Sequence, residues 1–157
     1  GTISKTPEAA EEIISEAVMK FRRRYDVPVE ITIPDELMLI PMDAILIEQV
    51  IVNLLENSVL HGKTTTLIKL TLSSDGENAV FSVTDNGSGI NEKKLPMLFS
   101  GYFIHAEEQS GDVKRNMGIG LSVCLTIIKA HGGTMTAGNL PEGGAEFTFT
   151  LPLERAL

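Results

Sequence analysis

A single cysteine in 157 residues leaves Cys124 with no internal disulfide partner and no second thiol for a zinc site, which fits a reducing compartment. Its place in an apolar, helix-like run makes it a core residue. Tryptophan is absent and aromatics amount to 5%. Positive charge is also scarce: 13 Lys and Arg stand against 21 Asp and Glu, a formal charge of −8. Outside "KFRRR" at 20–24, which reads as a solvated helix end, the basic residues are scattered. That excludes a broad cationic surface for nucleic acid, so an anionic ligand has to be held locally. No run approaches the ~18 to 20 apolar residues of a membrane span, and Gly1 opens neither a signal peptide nor a natural start. The expectation is a soluble piece of a longer protein.

What is present is ordinary for a globular chain: 43% hydrophobic and 22% charged residues, without repeats or low-complexity tracts. The length suits one domain, residues 1–157, able to bury a core without disulfides or metals. From Pro7, "PEAAEEIISEAVMKFRRR" predicts a helix over 7–24, acidic at its start and basic at its end, with Ile13, Ile14, Ala17, Val18 and Phe21 on one side. "VEITIP" alternates like a half-buried strand, and "LMLIP" extends it or pairs with it. Asp43 is an N-cap for a strongly apolar helix that ends at His61, before Gly62. "TTLIKLTLSS" and "NAVFSVTD" read as a hairpin around the turn "DGEN". Residues 91–117 form a long irregular stretch with one short helical piece, the length of a lid. A helix follows from about Gly120 to Ala130, stopped by "HGG", and then two strands, "TMTAG" and "AEFTFTLP", flank "NLPEGGA". Helices separated by pairs of strands predict a mixed or antiparallel sheet covered by helices on one face.

Three segments have the residue types of a ligand site. On the apolar helix Gln49, Asn53, Asn57 and His61 recur every four residues. A solvent-facing stripe is the plain explanation, yet solvent faces favour Lys and Glu, and asparagine is a poor helix former that needs a reason to sit mid-helix. "DNGSGI", at 85–90, is either a glycine-rich turn with an Asx hydrogen bond or the wall of a pocket; Gly87 at the third position excludes an EF-hand. "RNMGIGLSVC", at 115–124, fails the dinucleotide fingerprint at Asn116 and lacks a P-loop lysine. Its Gly118 and Gly120 still allow close backbone approach at a helix N-terminus, which favours an anion.

Taken in order, "NLLENSVLH", "DNGSGI", "LFSGYF" and "MGIGLSVC" resemble the N box, first glycine box, aromatic lid box and second glycine box of sensor histidine kinases, of the superfamily with Hsp90, gyrase and MutL. The closing "HGGTMTAGNLPEGGAEFTFTLP" resembles that family's C-terminal segment, most of all in the potassium-responsive Kdp sensors. The resemblance covers roughly residues 8 to 153. It implies an α/β fold, a two-layer α/β sandwich of the Bergerat ATP-binding type. It also implies ATP and Mg²⁺ as cofactors, with Asn57 as metal ligand and Asn53 beside it facing phosphate or metal-bound water. Asp85 would accept from the adenine amino group, with Gly87, Gly89 and Ile90 in the pocket wall. Gly118 and Gly120 would cradle phosphates between Met117 and Leu121, Phe99 and Tyr102 would pack the lid, and Lys114 and Arg115 would lie near the phosphates. Leu60, Ile104 and Asn116 depart from the family pattern: the first two stand where basic residues are common and Asn116 where a glycine is usual.

By the same resemblance the chain transfers the γ-phosphoryl group of Mg-ATP to a histidine on a separate dimerisation domain, and a response regulator receives it next. Neither His105 nor His131 carries the pattern of a phosphoacceptor, so the acceptor lies on another segment. The full protein is expected to be a membrane-anchored dimer with this part in the cytoplasm. A Ser/Thr kinase of the same superfamily, as among anti-sigma-factor kinases, and a non-catalytic nucleotide-binding module remain alternatives.

Overall fold

The computed structural model describes residues 3–100 and 120–154. Five strands make a mixed sheet in the order β2 (Val29–Thr32), β4 (Ile68–Ser74), β5 (Asn78–Asp85), β7 (Ala145–Pro152) and β6 (Met135–Asn139). Only β2 and β4 pair in parallel. The expected alternation is explicit in β5 and β7: Ala79, Phe81, Val83 and Asp85 are buried on one, Ala145, Phe147, Phe149 and Leu151 on the other. Phe81 and Phe149 face each other across the ladder, their rings stacked 4.5 Å apart. Among the described residues three α-helices pack in this order: α1 (Ala10–Arg22) on α2 (Ala44–Gly62), and α2 on α3 (Gly120–Ala130), with α2 and α3 lying against the sheet. The fold is the expected mixed α/β arrangement.

Local signals produce most of these elements. Asp43 caps α2, its carboxylate accepting from Leu46 N at 3.2 Å. Asp75 closes the β4–β5 turn by accepting from the amides of Glu77 and Asn78, which holds its carboxyl below the usual carboxylate range.

The expectation for the N-terminal residues needed correction. Residues Thr6–Ala9 are not the first turn of α1 but a strand, β1, antiparallel to β3 (Leu39–Met42), with Pro7 opposite Pro41. A two-stranded ribbon tolerates proline because each strand has an open side. The ribbon also serves the helix, whose first amide, Ala10 N, donates to Met38 O at 3.0 Å. Consequently β3 neither extends nor pairs with β2, which joins β4 through a crossover containing β3 and α2. The strongly apolar helix after Asp43 takes the core place its sequence suggests, although it passes a coarser test. α2 is 19 residues long with a mean hydropathy of 1.2 over an 18-residue window, enough by length and composition to cross a membrane. In the fold it is the core helix, burying Ile47, Val50, Ile51, Leu54 and Leu55.

His131, expected only to end a helix, ties α3 to α2. It is 1% exposed, its Nδ1 lies 2.7 Å from Ile127 O, and Asp43 N donates to its Nε2 at 3.0 Å. A carbonyl can only accept and an amide only donate, so the ring is the neutral Nδ1–H tautomer. Burial lowers its pKa, and the Ile127 carbonyl opposes that shift in part. The unfolded chain therefore binds the proton more readily than the folded one. The stabilisation is complete above the unfolded pKa of about 6.5 and is lost as pH falls through the lower folded value. His131→Ala, by orphaning the Asp43 amide, is expected to cost about 1 to 3 kcal/mol at pH 7.5. Urea melts should show a smaller loss between pH 7.5 and 5 for the variant than for the parent chain; equal losses would refute the assignment.

Candidate functional site

The asparagine row on α2 changes character along its length. Gln49 is exposed, Asn53 half-buried and Asn57 0% exposed, so the stripe descends from solvent into the interior. Asn57 Nδ2 donates to Asn53 O at 2.9 Å. Because a backbone carbonyl can only accept, the amide orientation of Asn57 is fixed and Oδ1 points away from that bond. Among the described residues this buried oxygen has no hydrogen-bond partner. The Asn53 amide donates in turn to Cys124 Sγ at 3.6 Å. Cys124 is buried, and burial pushes its thiol up to about 11, with the Asn53 contact opposing; it is a protonated core residue, as expected. Gly120, at the start of α3, faces the same amide: a Cβ built there would lie 3.6 Å from Asn53 Nδ2. Leu121 next to it is fully buried. The N box and the end of the second glycine box are thus brought together.

The strand-ending segment reaches α2 from the other side. Gly87 and Gly62 lie back to back: a Cβ at Gly87 would stand 2.6 Å from Gly62 Cα and would also strike Thr65 Oγ1. Ser88 N donates to Gly62 O at 3.0 Å, fastening the loop to the helix end. Asp85, at the last position of β5, is 5% exposed. Its Oδ1 accepts from Gly87 N at 2.9 Å, the expected Asx bond, and from Ala145 N at 3.3 Å. Its Oδ2 is buried and, among the described residues, unpartnered. Burial raises the Asp85 pKa, against the Gly87 and Ala145 amides and the Ser58 hydroxyl, which all favour the charged form. A carboxylate buried this deeply is expensive to keep charged, and such sites are where function is found.

Two residues in this region escaped the sequence reading. Asn86 is a clamp: its Oδ1 accepts from Thr66 N and Leu67 N at 2.9 and 3.1 Å, and its Nδ2 donates to Thr66 Oγ1 at 2.8 Å. Asn139, read only as part of a turn, accepts at Oδ1 from Ile90 N at 2.7 Å and donates from Nδ2 to Ile90 O at 2.8 Å. Gly89 between them has φ +81°, open to glycine at little cost. Neither asparagine has a local signal, since both act on backbone distant in sequence.

Ile90 is buried at the end of the segment, and Phe99, half-buried, packs against the core beside buried Leu98. Tyr102, Lys114, Arg115, Met117 and Gly118 lie outside the described residues, as do Ile104, His105 and Asn116. Among the described residues no group of His, Cys, Asp or Glu is arranged to hold a metal ion. A cation here would depend on amide and ligand oxygens, which suits a hard ion such as Mg²⁺ and fits the free Asn57 Oδ1.

Comparison with known proteins supplies the context. Residues 42–155 match the family described as histidine kinase-, DNA gyrase B-, and HSP90-like ATPase. The sensor protein KdpD of Clostridium acetobutylicum is 36% identical over 153 residues, which cover 97% of this chain and 17% of that protein. The adaptive-response sensory kinase SasA of Microcystis aeruginosa is 36% identical over 146 residues, 92% of this chain and 37% of that one. The chain therefore spans well under half the length of these curated relatives. Among solved structures, the nucleotide-free catalytic domain of the histidine kinase ThkA is similar with a TM-score of 0.78 at 26% identity, covering 96% of this chain and 97% of that domain. With the family match extending over most of its length, through the Asn57 helix and the Asp85 segment alike, the chain belongs to the histidine kinase-, DNA gyrase B- and HSP90-like ATPases.

Proposed function

We propose that this chain is the ATP-binding catalytic domain of a sensor histidine kinase, which presents the γ-phosphate of Mg-ATP to a histidine on a separate dimerisation domain. The observation that carries the reading is a pair of buried oxygens, Asn57 Oδ1 and Asp85 Oδ2, unpartnered among the described residues and set on two elements joined through Gly62 and Gly87. Asp85 Oδ2 suits the exocyclic amino group of adenine, whereas guanine offers an acceptor at that position. Asn57 Oδ1 suits Mg²⁺, which it would hold and which when bound would supply positive charge against the developing charge of the phosphates. Asn53 and Gly120 lie where the phosphates would meet the N-terminus of α3. Phe99 and Tyr102 would form the lid box, with Lys114, Arg115, Met117 and Gly118 completing the phosphate side.

In the transfer the γ-phosphoryl group leaves ATP, its P–O bond to the β-phosphate breaking as a P–N bond to histidine forms, and ADP departs. The contribution of this chain is position and electrostatics. His131 is no acceptor, because Asp43 N and Ile127 O occupy both ring nitrogens. The acceptor histidine, a response regulator as the next acceptor, membrane anchorage of the whole protein and a cytoplasmic place for this domain belong to the same proposal. One relative is named a sensor protein and another a sensory kinase, and a histidine kinase catalytic domain shares the fold at 26% identity, which supports it.

Calorimetric titration tests the pocket. ATP should bind at least about tenfold tighter than GTP, and Asp85→Asn should weaken ATP by about 10- to 100-fold, the worth of a charge-assisted hydrogen bond. Asn57→Ala should abolish the difference between titrations with and without Mg²⁺. Equal affinity for ATP and GTP would remove the base assignment. Transfer is tested separately by supplying the dimerisation domain with [γ-³²P]ATP: acid-labile label on that domain is expected, and nucleotide binding with no label would favour the binding module.

A further inference from the structure

We infer that Asn139, through the β6–β7 hairpin, is a positioning residue for purine selection; this rests on the reading of Asp85 as the base-contacting group. β5 ends at Asp85, and its ladder with β7 stops at Thr84 opposite Glu146. Residues 86–90 thus leave the sheet without a strand beside them, yet they must hold Asp85 Oδ2 at a fixed place against the pocket wall. One register pair of the neighbouring hairpin, Asn139 opposite Ala145, holds both ends of the segment. Ala145 N donates to Asp85 Oδ1 at the near end. The Asn139 side chain takes both backbone groups of Ile90 at the far end, at 2.7 and 2.8 Å. That pair of bonds reproduces what an adjacent strand would offer, with a side-chain amide in place of a peptide.

The fit leaves little slack. A Cβ at Gly89 would come within 2.8 Å of Asn139 Oδ1, so the amide lies directly against the glycine that turns the chain. Ile90 is anchored in the core at 5% exposure. With Asn139 removed, the Ile90 N–H and C=O lose their partners: the near half of the segment keeps the Asn86 clamp, the Gly87 amide bond to Asp85 and the Ser88 bond to Gly62, while the far half keeps only Ile90's buried side chain among the contacts described above. The consequence falls on the orientation of the carboxylate and the pocket wall, where adenine is told from guanine, and not on the phosphate end at Asn53 and Gly120.

The test titrates the parent chain, Asn139→Ala and Asn139→Asp with ADP, GDP and inorganic tripolyphosphate in Mg²⁺, alongside thermal melts. Asn139→Asp is nearly isosteric and keeps an acceptor for Ile90 N while setting an oxygen against Ile90 O, so it carries the test if the alanine variant does not fold. The expected result is about tenfold weaker ADP binding, an ADP-to-GDP preference reduced by a similar factor, and unchanged tripolyphosphate binding. Variants that melt earlier but keep the parent's ADP-to-GDP ratio would overturn the inference, as would an equal loss for all three ligands. A parent chain that binds ADP and GDP alike would remove the Asp85 reading, and this inference with it.

Discussion

The site exists because Gly62 and Gly87 touch. One ends the core helix, the other follows the last residue of a sheet strand, and a single methyl group at Gly87 would force them apart. Through that contact two unrelated local structures, a helix bearing Asn57 and a strand end bearing Asp85, are brought to one place. Asn86 secures the connection on one side by gripping Thr66 and Leu67, and Ser88 on the other by binding Gly62 O. The apolar bulk of α2 gives the site a stiff base, since Ile47, Val50, Ile51, Leu54 and Leu55 are all buried in the same core as the sheet.

Much of this could be read from the chain, for physical reasons that differ by element. The Asp43 cap, the Asp75 turn and the alternation of β5 and β7 are set by near neighbours, and sequence carries near-neighbour information well. Asn57 and Asp85 were legible because their chemistry clashes with their surroundings: an amide amid leucines and an acid closing an apolar strand. The ribbon of Thr6–Ala9 with Leu39–Met42 was not legible, because Pro7 is equally suited to a helix start and only a strand more than thirty residues away decides otherwise. The same holds for the parallel partner of β2 and for the Asn139 grip on Ile90 across 49 residues. The apolar composition of α2 fits a core helix as well as a membrane span, and its polar residues at 49, 53 and 57 agree with the core place it takes.

The two unpartnered oxygens have a thermodynamic meaning beyond recognition. A buried polar atom costs about 1 to 3 kcal/mol until a partner meets it, and among the described residues Asn57 Oδ1 and Asp85 Oδ2 meet none. Replacing either by an apolar side chain of similar shape would relieve that cost and remove the reason for the site. Ligand atoms that satisfy them would lower the free energy of the folded state alone, so the domain is built to be firmest when occupied.

The bond from the Asp43 amide to His131 also determines how α3 can move. It fixes the last turn of α3 to the first turn of α2, while towards the opposite end Cys124 Sγ accepts from the Asn53 amide, Gly120 faces that amide and Leu121 is buried in the core. Eleven helical residues make a rigid rod about 16 Å long, held by the histidine at one end and by buried Leu121 at the other. A tilt of about 4° about the histidine would shift the Gly120 end by about 1 Å, the difference between a backbone amide within reach of a phosphate oxygen and one that has let go, and the two anchors together oppose it.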